Sequence, residues 1–181
     1  MSMPPVGPPT ASEPLVDSRA MFPVVVHVVL RQADSIFLLK RGAEMAFGGR
    51  YGLPGGHLER GETLVEAAVR ECREETGTMV FGLQPLAVLS YVTAPGGERA
   101  GSESASDERA VEQGLNIVFH SDNFAPPPRL AEMSNFTDCG FFPDTALPDA
   151  VIPWVADVGQ LLAAPPAATT PPLILREYRW D

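Results

Sequence analysis

The stretch Gly55–Thr78, GGHLERGETLVEAAVRECREETGT, decides how the rest of the 181-residue chain is read. Thr63 and Glu66 form a T-x-x-E capping pair, so a helix is expected to start at about residue 64. Gly77 suits the left-handed position that follows a helix, which ends it at about residue 76. Between these limits Val65, Ala68, Val69, Cys72 and Thr76 recur at three- and four-residue steps and form the expected buried stripe. Glu71, Glu74 and Glu75 stand at i, i+3 and i+4, which gathers three carboxylates on one arc of about 100° beside that stripe.

For stability alone this arc is a poor choice. Like charges one turn apart cost a few tenths of a kcal/mol. The helix C-terminus also disfavours negative charge, and Lys or Arg would suit it better. A hard divalent cation would reverse the balance. An oxygen-only face fits Mg²⁺ or Mn²⁺, with water and a substrate phosphate completing the shell. The plain alternative is a solvated acidic helix face, which an isolated E-x-x-E-E run commonly is.

Working outward, residues 22–31, FPVVVHVVLR, are rich in β-branched types and read as a buried strand. Residues 35–40, SIFLLK, follow a short polar turn and complete a hairpin. Residues 42–50 read as a loop and Tyr51–Leu53 as a short strand that Pro54-Gly55-Gly56 stops. Beyond the helix, residues 79–92 hold one or two strands, best at Leu86–Val92. Residues 94–114 read as a flexible excursion, Leu115–His120 and Cys139–Phe142 as strands. Asp149 is the expected cap of a last helix to about Leu162, with Pro153 tolerated in its first turn. The order β-β-β-α-β-β-β-α implies an α/β fold, a mixed sheet with helices packed on it.

Five prolines fall within residues 1–14, and two Pro-Pro pairs lie at 165–166 and 171–172. This divides the chain into a disordered Pro-rich tail at 1–21, a domain at 22–163 and a C-terminal tail at 164–181. Thirteen basic against 23 acidic residues give a net charge of −10, which argues against a nucleic-acid polymer or an anionic membrane as partner. No apolar run is long enough to span a bilayer, and residues 1–20 lack the pattern of a signal peptide. Cys72 and Cys139 therefore read as free packing thiols in a reducing compartment, and the expected location is cytoplasmic.

The quoted segment resembles the Nudix box, G-x5-E-x7-R-E-U-x-E-E-x-G-U, where U is a bulky apolar residue. Gly56, Glu62, Arg70-Glu71, Glu74-Glu75 and Gly77 stand at the required spacing, while Cys72 and Thr78 replace apolar residues. FPVVVHVVLR, the LLKRG step at 38–42, the YGLPGGHLE lead-in and LPDAVIPWV extend the resemblance to MutT-type Nudix hydrolases over residues 22–162. It implies the Nudix α/β/α sandwich with a mixed central sheet. It also implies metal-dependent hydrolysis of a nucleoside diphosphate linked to another group.

Carried onto this sequence, the resemblance makes Glu74 and Glu75 metal ligands and Glu71 either a ligand or the base. The Gly56 carbonyl completes the site and Glu59 is an added metal-facing carboxylate. Glu62 orients Arg70, which braces the loop. His57, Arg41 and Lys40 are candidates for the substrate phosphates, Arg41 the better because guanidinium can bind phosphate in two places. Tyr51, Phe47, Phe119 and Phe136 are candidates for stacking, and His27 reads as a core or cleft histidine. Glu108 or Glu112 could supply a base from the excursion. The expected substrate is small and phosphorylated, a nucleoside triphosphate or similar, cleaved by metal-activated water with no covalent intermediate. ADP-ribose, faintly suggested by Pro95, and a silent binding module are the alternatives. The chain is expected to act as a monomer or homodimer.

Overall fold

Nine residues rich in valine, Val24–Gln32, form strand β1, and Ser35–Arg41 form β2. The elements after it are β3 (Tyr51–Gly52), β4 (Gly55–His57), α1 (Leu64–Thr76), β5 (Met79–Phe81) and β6 (Gln84–Thr93). Then come β7 (Gln113–Ser121), β8 (Asn123–Ala125), β9 (Phe136–Pro143), α2 (Pro153–Ala163) and β10 (Ile174–Trp180). The computed structural model describes residues 22–93, 113–163 and 174–180. The expectations for the tail at 1–21 and for 94–112, with Pro95, Glu108 and Glu112, lie outside the described residues.

β1 is the hub. It pairs in parallel with β7 over Val24–Leu30, antiparallel with β4 over Val25–His27, and antiparallel with β2 only at Arg31 and Gln32. The sheet runs β10-β6-β7-β1-β2-β3, with β4 on β1 and β9 on β2, while β5 and β8 form a separate small pair. Parallel and antiparallel pairs coexist, so the sheet is mixed as the element order implies.

Strand alternation sends side chains to two cores. Val26, Val28, Leu30, Phe37 and Leu39 pack with Ala67, Ala68 and Cys72 of α1. Val29, Leu38, Leu89 and Val118 pack with Trp154, Val155 and Val158 of α2. One helix therefore covers each face, which is the α/β/α arrangement.

α1 has the predicted limits. Thr63 accepts from the Glu66 N–H, the Glu66 carboxylate accepts from the Thr63 N–H, and Gly77 takes φ 67°. The buried stripe differs in two places: Val65 is 49% exposed and Val69 only half-buried, while Ala67 and Glu75 are buried instead. The helix is thus rolled toward its acidic side.

Four other expectations change. Gly55–His57 is not a stop but a strand on β1. β9 starts at Phe136, because pairing with β2 extends to Arg41. Asp149 does not cap α2, which starts at Pro153, the position where a missing N–H costs nothing. Within the expected C-terminal tail, Ile174–Trp180 forms an edge strand parallel to β6. Composition hid it, because the Pro-rich segment before it dominates that end of the sequence.

Candidate active site

A cleft of about 1180 Å³ opens where β4, the end of β2 and the C-terminal half of α1 meet. Its lining includes Arg41, Gly56, His57, Glu59, Glu71, Glu74 and Glu75, so seven of the sequence-nominated positions converge on one cavity. Lys40 and Tyr51 do not line it. Alternation along β2 turns Arg41 inward and Lys40 outward, where its ammonium lies 5.6 Å from the Tyr51 ring centre. The Tyr51 hydroxyl donates to Asp138 Oδ2 at 2.5 Å and its ring packs edge-on to Phe142. Phe119 and Phe136 are buried in the α1 core, so of the stacking candidates only Phe47 lines the cleft. Cys72 is buried, and that burial pushes its thiol up, as expected of a packing group rather than a nucleophile.

Arg70 organises the acidic face. Its Nε and Nη2 donate to the two Glu62 oxygens at 3.2 and 2.8 Å, and Nη2 also donates to the His57 carbonyl at 3.0 Å. Nη1 donates to Glu71 Oε1 at 2.7 Å and Glu74 Oε2 at 3.2 Å. The paired hydrogen bonds from Arg70 hold the Glu62 carboxyl below its usual range. Glu59 donates its backbone N–H to Glu62 Oε1 at 2.7 Å, which closes the loop onto the helix.

Glu75 is only 5% exposed and accepts the Gly55 N–H at 2.9 Å. Burial drives its carboxyl well above the usual range, and the charges of Glu71 and Glu132 push the same way. Burial likewise raises Glu71, against the pull of Arg70. Arg41 donates from Nε to the Ala46 carbonyl at 2.6 Å, so the 42–47 loop and the guanidinium hold each other at the cleft wall.

The geometry fits a divalent cation. A Cβ on Gly56 would lie 2.4 Å from Glu71 Oε1, so only glycine lets the β4 backbone reach that carboxylate. All donors are oxygens, and the crowded carboxylates gain from added positive charge. Among the described residues no three His, Cys, Asp or Glu side chains converge at ligand range, and Arg70 Nη1 bonds both Glu71 and Glu74.

Sequence reasoning missed two parts of the cleft. Glu132, from the loop before β9, faces Glu71 and Glu75 across it, with Oε1 accepting from Asn135 Nδ2 at 2.9 Å. The Ala131 and Glu132 N–H groups hold this loop by donating to the Glu75 carbonyl. The second part is the pair Asn116 and Trp154, which line the cleft together with His27. Asn116 is a polar residue inside an apolar strand, which is a usable signal; Glu132 carries none.

The family model for the NUDIX domain matches residues 21–147, and the chain belongs to that family. Among curated relatives it is 46% identical to an ADP-ribose pyrophosphatase of Methanocaldococcus jannaschii over 54 residues, 30% of this chain and 31% of that one. It is 35% identical to the 8-oxo-dGTP diphosphatase of Escherichia coli over 54 residues, 30% of this chain and 42% of that one. The matches therefore span less than half the length of these relatives. Among solved structures it resembles a MutT NUDIX hydrolase from Burkholderia pseudomallei, at 21% identity and a TM-score of 0.64, over 80% of this chain and all of that one. A MutT protein from Bacillus halodurans matches at 16% identity and a TM-score of 0.60, over 87% and 90% of the two chains. These likenesses show the fold. No helix among the described residues is long and apolar enough to cross a membrane.

Proposed function

We propose that the chain is a Mg²⁺- or Mn²⁺-dependent pyrophosphohydrolase that cleaves a small nucleoside diphosphate derivative, a nucleoside triphosphate or a close analogue. The observation that carries this reading is the convergence of Glu71, Glu74, Glu75 and the Gly56 backbone on one wall of a cleft that also holds Arg41 and His57. Glu71, Glu74, Glu75, the Gly56 carbonyl and Glu59 would hold the cation. Bound there, a divalent ion supplies a more acidic water and charge neutralisation on the diphosphate oxygens.

The chain's own groups do the rest. Arg41 and His57, which line the same cleft, bind the phosphates. Glu132 is the better-placed base: Asn135 fixes Oε1, and Oε2 has no partner among the described residues, whereas Glu71 Oε1 is engaged by Arg70. Oε2 takes the proton from the attacking water, and the pyrophosphate bond breaks without a covalent intermediate. Arg70, clamped by Glu62, keeps the 57–62 loop against α1.

The named relatives include enzymes for ADP-ribose and for 8-oxo-dGTP, and retention of all three box glutamates speaks against a silent binding module. The test is product analysis with Mg²⁺ over a panel of nucleoside triphosphates, ADP-ribose and a short 5′-triphosphorylated RNA. A nucleoside monophosphate plus pyrophosphate is the expected product pair. AMP plus ribose 5-phosphate would move the substrate to ADP-ribose, and preferred consumption of the RNA would overturn the small-substrate reading. Glu132→Gln should lower kcat by about two orders of magnitude with KM little changed. An unchanged kcat removes Glu132 as the base.

A further inference from the structure

The loop between β2 and β3, residues 42–50, is wound onto itself by its own backbone. Met45 donates its N–H to the Gly42 carbonyl and Arg50 to the Phe47 carbonyl, both at 3.1 Å. The two ends are tied together where Arg41 donates to the Arg50 carbonyl and Gly49 to the Arg41 carbonyl, both at 2.9 Å. Gly42 donates to the Asn135 carbonyl at 2.7 Å, which fastens the loop to the segment before β9. Two positions carry the strain of this winding. Phe47 takes φ 55°, where residues with side chains are rarely found. Gly48 lies so close to Ala43 that a Cβ on it would stand 2.4 Å from the Ala43 carbonyl oxygen and 3.0 Å from its Cα. That neighbour is main chain, so no side-chain rotation could relieve the contact. Strain of this kind persists only where the surrounding structure imposes it, and it gathers at functional sites.

What the winding holds is Arg41. Its main chain is fixed from both sides. Arg50 and Gly49 bond it from the loop, and β9 faces it with Phe136, after a register shift that leaves Thr137 opposite no residue. Bulges of this kind turn side chains toward a site. The half-buried guanidinium lines the cleft, and its Nε donates to the Ala46 carbonyl at 2.6 Å. Ala46 lies between Ala43 and Gly48, so a side chain at position 48 would open the turn that carries this carbonyl. With Nε engaged, the guanidinium keeps Nη1 and Nη2 for a ligand, as one planar fork. Neither has a hydrogen-bond partner among the described residues.

We propose that Gly48 is a positioning residue for phosphate binding: its missing side chain keeps the 42–50 loop wound tight, which holds the Ala46 carbonyl on Arg41 Nε and leaves Nη1 and Nη2 as a preformed fork for a diphosphate. Gly48 does not line the cleft, so it acts through Ala46 and Arg41. The inference rests on the reading of Arg41 as a phosphate-binding group. A fork held in place before the ligand arrives loses less freedom on binding than a loose arginine side chain.

The probe is inorganic pyrophosphate with Mg²⁺, titrated calorimetrically into the full chain. Arg41→Ala should weaken its binding about tenfold, the scale of one charge-assisted hydrogen bond. Gly48→Ala should weaken it by about three- to tenfold, yet by less than about twofold when Arg41→Ala is already present. A glycine needed only for folding would add the same loss in both backgrounds, and that result overturns the proposal. With a nucleoside triphosphate as substrate, Gly48→Ala should raise KM by the factor seen for pyrophosphate and leave kcat within about twofold. Amide hydrogen exchange provides a measurement that needs no variant. The N–H groups of Met45, Gly49 and Arg50 should be protected in the free protein and gain little when pyrophosphate is added. Exchange at open-chain rates until pyrophosphate binds overturns the proposal, even where Gly48→Ala does not fold. Pyrophosphate that fails to bind the unsubstituted protein at millimolar concentration overturns it as well. Undiminished binding by Gly48→Ala beside weakened binding by Arg41→Ala defeats this inference alone, whereas undiminished binding by Arg41→Ala also removes Arg41 from the phosphate site. The expected binding pattern without turnover of any nucleotide defeats the hydrolase reading and leaves the inference standing.

Discussion

Two parts of the cleft wall are built in different ways. The acidic part comes from one continuous segment: β4, its loop and α1 deliver Gly56, Glu59, Glu71, Glu74 and Glu75 within 20 residues of each other. The other part is assembled from β1, β7 and α2, with 89 positions between His27 and Asn116. The first part carries the Nudix box, and helix periodicity makes its geometry local. The second depends on the parallel pairing of β1 and β7, which only the folded sheet establishes. Substitutions in the two parts should therefore separate in what they affect.

The largest effect is expected in the acidic part. Glu75→Gln keeps the shape of the side chain and its capacity to accept the Gly55 N–H, yet removes a buried charge. It should lower Mg²⁺-dependent kcat by about two to three orders of magnitude, the cost of deleting a positioned electrostatic group. Tm should not fall, because a neutral amide replaces a carboxyl whose charged form burial disfavours. A fall in Tm of about ten degrees or more would mean that Glu75 holds the two parts together, and the separation fails.

That contrast explains what could be read in advance. The limits of α1 were legible because capping box and terminal glycine are local signals, and the structure repeats both. The mixed sheet was legible from element order and from the valine-rich β1. Inward Arg41 and outward Lys40 were not separated, since a strand end does not announce which face meets the cleft. The place of Tyr51 outside the cleft lining was not legible for the same reason: its partner Asp138 arrives from β9, 87 positions away. Glu132 was illegible because it sits in an irregular loop with no period, held by bonds from its backbone to Glu75. Val65 follows the helical spacing but faces solvent, because the roll of α1 is set by Glu75 tucking under β4 rather than by apolar residues alone.

A smaller effect is expected from protonating the non-local part. His27 titrates near 6.5 when unfolded and is held at about 3 in the fold by burial first, then by Arg41, with Asn116 and the Leu53 backbone opposing and His57 adding a little. A depressed pKa means that the folded state binds the proton less well than the unfolded chain. The contribution of His27 to stability is therefore complete above about 6.5 and declines as pH falls toward about 3. Urea melts of the original protein and of His27→Phe should diverge in pH dependence across this window, with the variant showing the shallower loss. Parallel curves would mean that the imidazole reaches solvent when charged and that the pocket is looser than its packing implies.

The smallest effect tests whether the local segment can be weakened without touching the chemistry. Thr63→Ala at the start of α1 removes the acceptor for the Glu66 N–H and the hydroxyl that donates to Glu66 Oε2 at 2.8 Å. The other half of the box survives, because the residue 63 N–H still reaches Glu66 Oε2 at 2.7 Å. Loss of an N-cap side chain costs about 1 kcal/mol. The capping group lies at the opposite end of the helix from Glu74 and Glu75, and Arg70 is anchored through Glu62 and the His57 carbonyl rather than through Thr63. A drop of a few degrees in Tm with kcat unchanged is therefore expected. A fall in kcat of about tenfold or more would show that fraying of the first turn is transmitted through Glu62 and Arg70 to the carboxylate face. In that case α1 positions its acidic residues as one rigid body from cap to C-terminus, and the acidic part is more sensitive to its distant helix start than to the pocket beside it.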